Sequence, residues 1–149
     1  MLPLGLAADR LVVAHGIDLV EVERIRRSIE RHGQRFIDRI FTSNEIAYSD
    51  AGKRRFERYA ARFAAKEAAL KAIGTGWRSG IAWTDVEVRS APTGEPMLAV
   101  SGVAEQFARE RGIGAWLVSL THTDRSAMAS VIGLAMRDEH PAPVADSEG

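Results

Sequence analysis

Apolar residues in this chain follow two periodicities, helical in the first half and alternating in the second, with the change near Gly76. Leu11-Val12-Val13-Ala14 reads as a short buried strand, ended by Gly16. Asp18 then opens the first helix, through the capping box Asp18-Leu19-Val20-Glu21. Val22, Ile25 and Ile29 fall at i, i+3, i+7 and mark its inner face, while Arg24, Arg27 and Arg31 share the same spacing on another face. Gly33 interrupts the pattern, which resumes at Phe36, Ile37 and Ile40. Thr42-Ser43-x-Glu45 caps a short helix ending near Gly52, and a long helix follows from about Lys53 to Ile73, where Gly74 stops it. Beyond Gly76, strands are expected over Asp85 to Arg89 and Met97 to Val100, joined by Pro92-Thr93-Gly94. A helix over Ser101 to Arg111 follows, with Val103, Ala104 and Phe107 inward. Two apolar strands, Ala115 to Leu120 and Ala127 to Leu134, form a hairpin about Thr123-Asp124-Arg125-Ser126. The pattern is that of an α+β domain, with helices grouped early and antiparallel strands late.

With 149 residues, 46% of them hydrophobic, the chain has material for one core. That domain is expected over residues 11–136, between an N-terminal extension, 1–10, and a Pro-, Ala- and acid-rich tail, 137–149, expected to be disordered. No apolar run reaches the length of a membrane span, and residues 1–10 lack the pattern of a secretory signal, so a cytoplasmic protein is expected. The absence of cysteine excludes disulfides and thiolate chemistry, leaving oxygen or imidazole to hold any metal. Net charge is zero, yet Val22 to Ile40 carries six arginines against three acids. A local basic surface of this kind suits an acidic partner or phosphates.

Candidate chemistry concentrates on the long helix. At about 100° per residue, Phe56, Tyr59, Phe63 and Leu70 share one sector, and Glu67 lies about 40° from its centre. A surface pair with Lys71 at i+4 contributes only about 0.3–0.5 kcal/mol. Burying a carboxylate costs several times that, so a cation or an interfacial cavity explains the position better. Asp18 reads either as a helix cap or as a ligand presented at a strand-to-helix junction. Asp18 and Glu67 would suit magnesium, which one or two carboxylates plus substrate phosphates commonly hold. His122, between Thr121 and Thr123 at a strand end, is either a phosphate donor or a structural histidine, and His15 carries less signal. Gly74-Thr75-Gly76 is either a backbone nest for phosphate or a helix stop.

These residues lie in blocks that resemble the holo-(acyl-carrier-protein) synthase family of 4'-phosphopantetheinyl transferases. The blocks are Gly16-Ile17-Asp18-Leu19-Val20-Glu21 with Arg24-Ile25, then Arg39-Ile40-Phe41-Thr42 with Glu45, then Arg62-Phe63-Ala64-Ala65-Lys66-Glu67-Ala68 with Lys71-Ala72 and Gly74-Thr75-Gly76. Asp85-Val86-Glu87-Val88, Gly94-Glu95-Pro96 and Ser119-Leu120-Thr121-His122-Thr123 complete the order. The resemblance implies the family's α+β fold, an antiparallel sheet with a long packed helix and N-terminal helices. It also implies magnesium on Asp18 and Glu67, coenzyme A phosphates at Lys71 and His122, an acidic acyl carrier protein docked by Arg24, and a homotrimer with its sites between protomers. Gly74, Thr75 and Gly76 join the coenzyme A site, and Arg27 and Arg31 extend the carrier-binding ridge. Two positions depart from the family's pattern. Ala14-His15-Gly16 stands where Gly-hydrophobic-Gly is usual, and Thr121 replaces a serine before the histidine.

The implied reaction moves 4'-phosphopantetheine from coenzyme A to a carrier serine, releasing 3',5'-ADP, with Glu67, Lys71 and His122 as the catalytic set. Two other readings are a non-catalytic RNA-binding module using the basic helices and a structural oligomer whose carboxylates only cap and pair. Against RNA stand the neutral total charge and the lack of an interleaved aromatic platform.

Overall fold

A computed structural model describes residues 11–77 and 80–137. The expected extension 1–10 and the tail beyond Arg137 lie outside the described residues. Five helices and five strands occur among those described: β1 (Val12–Glu21), α1 (Val22–His32), α2 (Gln34–Ile40), α3 (Ser43–Asp50), α4 (Arg55–Ile73), β2 (Val86–Ser90), β3 (Pro96–Val100), α5 (Gly102–Glu110), β4 (Ile113–His122) and β5 (Ser126–Ala135). A 3-10 turn over Trp83–Asp85 precedes β2. The first and last strands pair with each other: one antiparallel sheet has the order β1-β5-β4, and β2 and β3 form a separate hairpin beside β4. The α+β expectation holds, as do the long helix, the Thr42–Glu45 capping box and the β4–β5 hairpin.

The start of the chain departs from expectation. Asp18 opens no helix, because β1 runs through it to Glu21 and pairs with β5 in continuous register from Ala14↔Gly133 to Glu21↔Ser126. Ladder hydrogen bonds along a whole strand outweigh one local cap. The first turn of α1 is satisfied from afar instead, Val22 N–H donating to the Arg125 carbonyl at 2.8 Å, while Glu21 at the N-cap makes no side-chain cap bond. Asp85 was expected in a strand but ends the 3-10 turn, where its Oδ2 accepts from the N–H groups of Ala82 (3.2 Å) and Ala104 (3.3 Å), tying that turn to the start of α5.

Gly16 sits mid-strand rather than ending the strand, and packing explains it. The long helix crosses β1 and β5 with a surface of alanines, Ala60, Ala61, Ala64, Ala65, Ala68, Ala69 and Ala72, all buried. Small residues on the helix meet small ones on the sheet (Gly16, Ala127, Ala129), so backbones approach closely. A Cβ at Gly16 would lie 1.8 Å from the Ala68 carbonyl oxygen and 3.0 Å from Ala72 N. Backbone atoms cannot swing aside, so Gly16→Ala is expected to cost about 3 kcal/mol or more and lower the melting temperature by roughly 10 °C; calorimetry checks this.

Candidate active site

β1 and the last two turns of α4 deliver the two carboxylates to one place. Alternation along β1 puts Gly16, Asp18 and Val20 on the face that meets α4, with Ile17 and Leu19 on the other. Asp18 is thereby held over the end of α4. Lys71 Nζ donates to Asp18 Oδ1 at 2.9 Å and to the Ile17 carbonyl at 2.9 Å. Lys71 thus pairs across to the sheet; the i+4 pairing with Glu67 considered from sequence is replaced by this one. The lysine is half exposed and Asp18 largely covered, so the pair joins helix to strand while leaving a cation accessible.

Glu67 lies one turn before Lys71 and is half-buried. Desolvation pushes its carboxyl above the ordinary carboxylate range; the Trp77 indole acts against that, the nearby Asp18 charge adds to it, and Arg24 and Lys71 oppose it. A half-buried carboxyl with a second carboxylate beside it is a setting that favours a bound cation. Their hard oxygen donors suit magnesium, which needs no more than one or two carboxylates from protein. Among the described residues no group of three or more His, Cys, Asp or Glu gathers as a larger metal cage.

Arg24 reaches the site from α1, its guanidinium 5.5 Å from the centre of the Phe63 ring. Arg27 and Arg31 do not reach Glu67. They line, with Arg24, Glu21, Glu23, Ser28 and His32, a groove of about 420 Å³ along α1, where Arg26 and Arg27 each approach Glu23 at 3.5 Å. His122 ends β4; its register partner is Ala127, itself opposite Val20, so it stands on the Asp18 side of the sheet and is exposed. His15 lies on the opposite face, its Nε2 3.1 Å from Ser130 Oγ.

Gly74 takes φ +82° as the left-handed stop of α4, and its N–H bonds the Leu70 carbonyl at 2.8 Å. The Arg111 guanidinium fills the space a side chain would need there and donates to the Ile73 carbonyl at 2.8 Å. Gly76 is also left-handed (φ +62°), and Thr75 Oγ1 donates to the Gly76 carbonyl at 3.2 Å. The helix-stop reading of Gly74 is thereby realised.

Sequence reasoning missed the buried ion pair behind the site. Lys66 and Glu45 are both fully buried, with Nζ 2.7 Å from Oε1. Lys66 also donates to the carbonyls of Val86 and Trp83, while Glu45 accepts from Thr42 N–H and Val88 N–H, each at 3.0 Å. The available signal was a lysine on the long helix with Phe63, Ala69 and Leu70 at i−3, i+3 and i+4.

The sequence profile of the 4'-phosphopantetheinyl transferase superfamily matches residues 14–130. The chain belongs to that superfamily. Within it, the chain groups with the holo-(acyl-carrier-protein) synthases: that of Solibacter usitatus is 54% identical over 122 residues, 82% of this chain and 98% of the relative. The solved synthase of Neisseria meningitidis matches with TM-score 0.74 at 28% identity, covering 83% of this chain and 98% of its own. That of Bacillus anthracis, solved in complex with CoA (3',5'-ADP), gives 0.69 at 33% identity, covering 84% and 98%. The chain is thus an enzyme of the transferase class, and the RNA-binding alternative is left without support.

Proposed function

We propose that this enzyme, in the cytoplasm, transfers the 4'-phosphopantetheine arm of coenzyme A to a serine of an acyl carrier protein, using magnesium held by Asp18 and Glu67. The observation that carries the reading is the meeting of these two carboxylates, from the first strand and the long helix, with Lys71 and Arg24 around them. Magnesium, when bound, supplies positive charge to the pyrophosphate and to the bond that breaks. Lys71, anchored by Asp18 and the Ile17 carbonyl, offers its remaining N–H to the leaving phosphate of 3',5'-ADP. The Gly74-Thr75-Gly76 amides and His122 complete the phosphate contacts. The reaction is otherwise one of positioning and charge neutralisation.

Two further parts belong to the reading. The sheet face turned away from α4 leaves Ile17 50% and Leu19 66% exposed, with Val13 and Met128 also open. Exposed apolar side chains gathered on one sheet face, here around the His15–Ser130 pair, suit an interface, and a homotrimer of this chain would cover them. The groove of Arg24, Arg27 and Arg31 suits an acidic carrier helix. Arg27→Ala, remote from Glu67, is expected to raise the carrier's KM roughly 3- to 10-fold, weaken its salt dependence and leave the coenzyme A KM unchanged; steady-state kinetics at two salt concentrations check it.

The function itself is tested by incubating the protein with coenzyme A, magnesium and an apo carrier, then weighing the carrier. A gain of one phosphopantetheine, with equimolar 3',5'-ADP, is expected; an unchanged carrier mass rules the reading out.

A further inference from the structure

Trp77 follows the two left-handed glycines, Gly74 and Gly76, which reverse the chain at the end of α4. Its ring stacks on Trp83 with centroids 3.6 Å apart, and Trp83 stacks on Phe63 at 5.2 Å. An aromatic row thus leads from Phe63, one helical turn before Glu67, out to the loop. Stacking accounts for the ring but not for its polar edge. The indole Nε1 is buried and closes no hydrogen bond of ordinary geometry. An indole N–H is a donor only, and leaving a buried donor unpaired is costly. The acceptor beside it is the Glu67 carboxyl, one turn along α4 from the Phe63 end of the aromatic row. Carboxylates that ligate metals are themselves commonly held by hydrogen bonds from a second layer of residues.

We propose that Trp77 is a positioning residue for Glu67: its Nε1–H donates to one carboxylate oxygen, fixes the rotation of the group, and leaves the other oxygen to magnesium. The proposal rests on the magnesium reading above. It also gives Trp77 a part in the site, because the left-handed turn over Gly74 and Gly76 is what brings the indole back to Glu67.

The test is thermal unfolding of the full chain at increasing magnesium, with coenzyme A present and no carrier, so that no turnover occurs. Trp77→Phe keeps a smaller stacking ring and removes the N–H with the five-membered part of the indole. Its metal-free melting temperature is expected to fall by no more than about 4 °C, because an aromatic ring remains on Trp83. The magnesium concentration giving half-maximal stabilisation is expected to rise about 10-fold. Trp77→Leu, which removes ring and N–H together, should lower the metal-free melting temperature yet shift the midpoint by the same factor. A parent that responds to magnesium while both variants keep its midpoint overturns the role of Trp77 alone. A parent with no magnesium response overturns the two-carboxylate site and this inference with it.

Discussion

Asp18→Asn is expected to fold normally and to transfer phosphopantetheine at least about 100-fold more slowly than the parent, since losing about 3 kcal/mol of charge stabilisation corresponds to that factor. Stability should scarcely move. Asp18 caps no helix, its backbone is held by the β5 ladder, and its partner Lys71 is half exposed, so the lost pair is worth under about 1 kcal/mol. Glu67→Gln should give a similar loss of rate with metal-free stability unchanged or raised, because the amide removes a carboxylate that burial disfavours. Magnesium dependence separates metal binding from the other role the geometry allows Asp18, anchoring Lys71. If anchoring is all it does, Asp18→Asn and Lys71→Met will lose activity equally and keep the parental magnesium midpoint. If Asp18 and Glu67 share a metal, both carboxylate variants will need far more magnesium, and Lys71→Met will not. Full activity in Asp18→Asn at the parental midpoint would remove it from the site.

Which parts of this arrangement could be read from the chain follows from the range of the interactions involved. The long helix, its Gly74 stop and the Thr42–Glu45 box are encoded within a few residues of where they act, and all three were legible. Glu67 was legible for a related reason: a carboxylate in an apolar helical sector is anomalous whatever lies opposite. Asp18 shows the converse. The same four residues fit a capping box and a strand, and what decides between them is pairing with β5 at the far end of the chain, which no local pattern reports. The family blocks named Asp18 as a ligand without revealing that it sits in a strand. Gly16 was misread likewise, as punctuation, because close approach to the Ala68 carbonyl is a tertiary fact. Lys71's actual partner, and Trp77's place beside Glu67, depend on how sheet, helix and the residues from Gly74 to Trp77 come together.

Lys66→Met carries the largest expected effect on stability. The methionine fills most of the lysine's volume but leaves the Glu45 carboxylate fully buried without a cation, and leaves the carbonyls of Trp83 and Val86 without their donor. Removing one partner of a buried ion pair typically costs about 3–5 kcal/mol, here a fall in melting temperature of roughly 10 °C or more. Glu45→Gln should cost less, since the single amide oxygen of glutamine keeps the capping-box bond from Thr42 N–H and only the bond from Val88 N–H is lost. The double variant, Glu45→Gln with Lys66→Met, decides the cause. If the cost of Lys66→Met is the stranded charge, removing that charge as well should recover part of the loss, and the double variant will be more stable than the sum of the single changes predicts. If the cost is only poorer packing around the methionine, the two changes will add. The same pair ties α4 to α3 and β2 immediately before Glu67, so the double variant also tests how tightly the active-site end of the helix is held. A repacked protein that regains stability but keeps a raised magnesium midpoint would show that the polar network fixes where Glu67 points as well as whether the chain folds.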